Sequence, residues 1–121
     1  MAGTTEFLIV APILPGKRKA WRRMMQEVTG PRYAEWADHH NRMGVTREVV
    51  WEQRLPGLDL AIVAIDGVDP QDILDKMTVS DNPFDVWFRD TIISVTGYLE
   101  TAPDEVPPPT LVGKFEAETR Q

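Results

Sequence analysis

Apolar residues along the chain change their period at definite points, and these changes mark out the elements. From Phe7 to Ile13 the run is β-rich and apolar on both parities, Phe7, Ile9 and Ala11 against Leu8 and Val10, and Pro12, Pro15 and Gly16 close it. That predicts a strand buried on both faces. From Lys17 the spacing becomes three and four, with Ala20, Trp21, Met24, Met25 and Val28 on one stripe, the mark of an amphipathic helix. Thr29-Gly30-Pro31 interrupts it. A second helix then carries Tyr33, Trp36, Ala37, His40 and Met43 on its apolar side and Glu35, Asp38, His39 and Arg42 on the other, with Gly44 as its stop.

Val45 to Leu55 alternates, with Val45, Val49, Trp51 and Leu55 facing one way and Thr46, Glu48, Glu52 and Arg54 the other, so a half-exposed strand is expected. Pro56-Gly57 turns the chain into Asp59–Asp66, a strand again apolar on both sides, and the two form a hairpin. Asp69-Pro70 opens a short helix through Met77, and Asn82-Pro83 opens another. Asp85, three residues after that second cap, and Asp81 read as helix-start residues. Phe84, Trp87, Phe88, Thr91, Ile92 and Val95 keep helical spacing, although Thr91–Leu99 is β-branched enough to extend as a strand. Residues 1–100 thus make one domain, and 101–121 a Pro-rich strap or tail (Pro103, Pro107, Pro108, Pro109) whose pattern allows a last strand at Leu111–Phe115.

Composition narrows the function classes. With 121 residues, 42% hydrophobic and 26% charged, the chain is long enough for one core and too short for two. A net charge of -6 argues against a nucleic-acid binder. The one basic cluster, Lys17, Arg18, Lys19, Arg22 and Arg23, reads as a solvated helix face. The absence of cysteine removes disulfides, thiol catalysis and thiolate metal sites. Met1–Val10 has no basic segment before a short apolar run, so neither a signal peptide nor a membrane span is expected, and the cytoplasm is the expected location. No phosphate-cradling loop, dinucleotide fingerprint, nucleophile elbow or zinc motif is present, and neither a cofactor nor a metal is expected.

The order strand, broken helix, strand, strand, broken helix, strand predicts an α+β ferredoxin-like sandwich with an antiparallel sheet, first and third strands central and both helical layers on one side. The other apolar face then needs its own cover. Either a second copy supplies it, about eight side chains losing about 50 Å² each to give roughly 10 kcal/mol before association costs, or the Pro-rich tail folds over that face. Three segments carry a resemblance: Pro15-Gly16-Lys17 at a strand end, Gly44-Val45-Thr46-Arg47-Glu48 at a strand entry, and Pro83-Phe84-Asp85-Val86-Trp87-Phe88-Arg89 on a helix. On these the first hundred residues resemble the dimeric α/β-barrel superfamily, and more narrowly small bacterial proteins of unknown function. The resemblance implies a homodimeric α/β barrel; the superfamily holds cofactor-independent monooxygenases, cyclases, isomerases and haem enzymes, and no catalytic residue carries over.

Candidate chemistry rests on few groups. His40, on the apolar stripe between Trp36 and Met43, could act as a general base or sit as a hydrogen-bonded core histidine. Arg47 could receive a carboxylate or serve as a structural ion-pair partner of Asp85 or Asp90. Tyr33 joins these two as the third polar candidate. Trp36, Trp51 and Trp87 could wall a pocket for a flat ligand or be plain core. His39, one turn after Glu35, reads as part of an exposed face, and two ligands are too few for a metal. Two functions follow: a small-molecule-binding protein or cofactor-independent enzyme for a hydrophobic, optionally anionic metabolite, or a non-catalytic structural or regulatory dimerisation module.

Overall fold

Among the residues described by the computed structural model, 5–67, 69–98 and 109–117, the chain runs β1 (Thr5–Ile13), α1 (Arg18–Thr29), α2 (Tyr33–Met43), β2 (Val45–Leu55), β3 (Leu58–Gly67), α3 (Pro70–Val79) and α4 (Pro83–Thr96). Local chemistry sets the helix starts. Asp69 accepts from the Gln71 and Asp72 amides at 3.1 and 3.3 Å, Asn82 accepts from the Phe84 amide at 2.9 Å, and each is followed by a proline whose missing N–H costs nothing at that position. Thr91 to Thr96 continues α4 as helix, because Phe84, Phe88 and Val95 bury one stripe against the core; Leu99 lies outside the described residues. Gly44, at φ 80°, ends α2 in the left-handed region and delivers the chain directly into β2.

The three strands form one antiparallel sheet in the order β1-β3-β2. Its register contains an irregularity: Val45 opposes Gly67 and Arg47 opposes Asp66, so Thr46 is an extra residue in β2. The Thr46 hydroxyl donates to the Asp66 carbonyl at 3.2 Å. A bulge of this kind reverses the alternation beyond it. Val45 therefore points to the helices, and so do Glu48, Val50 and Glu52, whereas Arg47, Val49, Trp51 and Leu55 share the opposite face with Leu8, Val10 and Ile62. Trp51, expected inside, is 50% exposed for this reason.

Helices α1 to α4 cover one sheet face and build the core there, from Trp21, Met24 and Val28 of α1 to Phe84, Phe88 and Val95 of α4. On the uncovered face Leu8, Val10 and Trp51 stand exposed. The alternation also places Glu52 on the helical side, where Arg18 donates to it at 2.7 and 3.2 Å and Arg22 donates as well. The guanidiniums of Arg18 and Arg22 hold the Glu52 carboxyl down to about 2. Two members of the basic cluster thus serve as an internal clamp between α1 and β2.

Two expectations are not met among the described residues. β1, placed inside the sheet by its pattern, has no strand partner on its outer edge among the described residues. Residues 109–117 form no strand and lie exposed, while Pro103, Pro107 and Pro108 lie outside the described residues. Gly67 sits where β3 meets α3 and the end of α2: a Cβ there would collide with the buried Ile73 side chain and reach the Gly44 carbonyl oxygen at 3.1 Å. Gly67→Ala is expected to lower unfolding free energy by about 1–3 kcal/mol through this overpacking, read as a reduced urea midpoint at unchanged slope.

Candidate functional site

The most heavily hydrogen-bonded charged group in the helical layer is Asp85, in the first turn of α4 and fully shielded from solvent. Its Oδ1 accepts from His39 Nδ1 at 2.6 Å and Arg42 at 2.6 Å, and its Oδ2 accepts from Arg42 Nε at 3.2 Å and the Ser80 hydroxyl at 2.6 Å. Ser80 is held in turn, since Arg89 donates to the Met77, Thr78 and Ser80 carbonyls at the end of α3. Burial opposes the Asp85 charge, but the hydrogen bonds from Arg42, Ser80 and His39 outweigh it and bring the carboxyl down to about 2. Asp85 is ionised at neutral pH.

An ionised Asp85 can only accept, so His39 Nδ1 carries the ring proton. Burial lowers the His39 pKa, the Asp85 contacts only partly opposing it, and the ring is neutral at pH 7 with its lone pair on Nε2. Among the described residues Nε2 has no hydrogen-bond partner. His39 lines a cavity of about 120 Å³ between the sheet and α1 to α4, whose walls include Ile9, Trp21, Met24, Met77 and Phe88. Glu48, Thr96 and Tyr98 also line it. The Thr96 hydroxyl is committed, donating to Ile92 and accepting from the Tyr98 amide. Tyr98 is kept protonated, its pKa raised by burial.

The residues singled out from sequence do not share one site. Tyr33, Trp36, His40 and Arg47 do come together, around a separate groove of about 260 Å³ between α2 and β2. His40 Nε2 is already bonded to Glu48 Oε1 at 2.7 Å, Tyr33 is 60% exposed, and Arg47 lies 4.0 Å from Asp66 on the sheet's other face. Trp36 is buried, and its Nε1 has no partner among the described residues. Val45 and Glu48 line both hollows. Trp51 and Trp87 line neither; Trp87 is half-buried under the Arg32 guanidinium, 4.1 Å from its ring centre. His39 is the buried histidine rather than part of an exposed face, because the stripe of α2 runs Trp36, His39, Met43 and a carboxylate waits for it on α4. Asp85 is likewise more than a helix-start residue. The signal that could have found it is the Pro-Phe-Asp-x-Trp-Phe-Arg segment, which contains both Asp85 and the Arg89 that positions Ser80.

Among the described residues no three His, Asp or Glu side chains group as a metal site, and no helix is long and apolar enough to cross a membrane. Comparison with protein-family models, curated proteins and solved structures returns no match.

The pH dependence of stability follows from the two shifts. Unfolded, His39 titrates near 6.5 and Asp85 near 3.8; folded, both hold protons more weakly. The unfolded chain therefore takes up protons first as pH falls. Urea unfolding from pH 8 to 2 is expected to show stability falling from pH 6.5 downward through His39. A further loss, reaching about 2 kcal/mol, comes between about 4 and 2 through Asp85. His39→Gln should remove the first decline and spare the second.

Proposed function

We propose that this chain is a homodimeric protein of ferredoxin-like build that acts by proton transfer on a neutral hydrophobic small molecule, without a cofactor, with His39 as the base. One observation carries the reading. A neutral imidazole, fixed through Nδ1 by an ionised carboxylate 2.6 Å away and with no partner for Nε2 among the described residues, lines a mostly apolar cavity. Desolvation keeps the imidazole unprotonated, and the ionised Asp85 at Nδ1 stabilises the imidazolium that proton abstraction creates. Tyr98, a neutral phenol on the same cavity, is the candidate donor to an oxygen that gains charge. Arg47 lies outside this cavity, so an anionic substituent has no counter-charge there, and the substrate class is neutral.

A base in an apolar pocket can be tested without knowing its natural substrate. 5-Nitrobenzisoxazole loses its ring C–H proton to a base while the N–O bond breaks, giving a coloured cyanophenolate. The native protein should open it at least about 10²-fold faster than His39→Gln, with the rate falling at low pH through an apparent pKa below 6.5. Equal rates in the two proteins would remove His39 from the assignment.

Dimerisation is supported by the uncovered sheet face, where Leu8, Val10, Trp51, Leu55 and Leu58 each remain more than a third exposed. Sedimentation at micromolar concentration is expected to give a dimer. Val10→Asp with Trp51→Glu should give a folded monomer with unchanged helical circular dichroism. A monomeric native protein would overturn the dimer.

A further inference from the structure

We infer that residues 109–117 are an exchange arm, which in the dimer adds as a fourth strand to the outer edge of β1 in the second copy; this rests on the dimer reading above. The arm has no regular secondary structure and carries Leu111, Val112 and Phe115 at 76%, 95% and 87% exposure. Three large apolar side chains in nine residues, so nearly free of contact, call for a surface to cover them.

The same chain offers that surface. β1 pairs with β3 along one edge only, leaving the outward N–H and C=O groups of residues 5–11 without strand partners among the described residues. Pro12, which has no N–H to give, sets the end of any added pairing and suits a strand at this position. In an added strand Leu111, Gly113 and Phe115 would share one face, and Val112 and Lys114 the other. Leu111 and Phe115 would then extend the row of Leu8 and Val10, the row on which the dimer itself is argued.

Connection length favours the second copy over the arm's own sheet. The end of α4 already lies beside the end of β1, the Leu14 amide donating to the Val95 carbonyl at 2.8 Å. A direct return onto the same edge would need only about two to five residues. Ten residues, 99–108, stand between Tyr98 and Pro109, with Pro103, Pro107 and Pro108 among them. Such a stretch spans up to about 35 Å, enough to cross to a neighbouring sheet.

The chain has no cysteine, so engineered disulfides can read the pairing directly. Full-length protein carrying Leu111→Cys is mixed with differently tagged full-length protein carrying Leu8→Cys or Val10→Cys, and oxidised. Exchange predicts a disulfide-linked species containing both tags. A doubly substituted chain that links only within itself would show the arm closing its own sheet and would overturn the exchange while leaving the dimer intact. No linkage in either format, with light scattering still reporting a dimer, would overturn the arm alone. A monomer by light scattering would overturn arm and dimer together.

Discussion

A single buried carboxylate organises the helical layer. Asp85 has no access to water, and an ionised group in that position is tolerated only because four hydrogen bonds replace its hydration. Those bonds come from α2 and from the connection between α3 and α4, so one side chain ties three helices together. Arg89 adds a second tier by gathering the last carbonyls of α3 and thereby fixing Ser80. The arrangement that holds the helices is also the one that fixes the tautomer of His39. Stability and proposed chemistry draw on the same contact.

Around that contact the helical layer is not filled to the sheet. An apolar cavity lies on the His39 side, a polar groove lies on the His40 side, and Val45 and Glu48 form the wall between them. Adjacent histidines on α2 therefore face different surroundings. His39 meets Asp85, Phe84 and Phe88, whereas His40 packs on Trp36 and bonds Glu48. Trp36, buried with an unpartnered Nε1, is the least satisfied polar group of the described residues.

Much of the fold was legible because its signals are local. Asp69-Pro70 and Asn82-Pro83 start helices through caps that need no tertiary partner, Gly44 ends one through its left-handed φ, and Pro56-Gly57 joins the β2–β3 hairpin. What sequence reading missed depends on distant partners. Trp36, His39, Met43 and Trp36, His40, Met43 are equally good helical stripes, and only Asp85, 46 residues away, decides between them. Asp85 is where a helix start would put it, and nothing in its neighbourhood reveals Arg42 across the layer. The pattern at Leu111–Phe115 allows a last strand, but a local pattern does not report whether a sheet edge is within reach. Tyr33, Trp36, His40 and Arg47 lie around the groove, whereas Trp51 and Trp87, expected as walls of the same pocket, line neither hollow.

The additional residue at Thr46 has a reach out of proportion to its size. Shifting the parity of everything after it decides which half of a charged, aromatic strand faces the helices. Paired without it, β2 would turn Arg47 and Trp51 into the core and carry Glu52 out to water, stranding Arg18 and Arg22 without their acceptor. Glu48 would leave His40 by the same shift. One inserted amino acid thus acts as a frame marker for the whole strand, allocating carboxylates to one side and apolar bulk to the other.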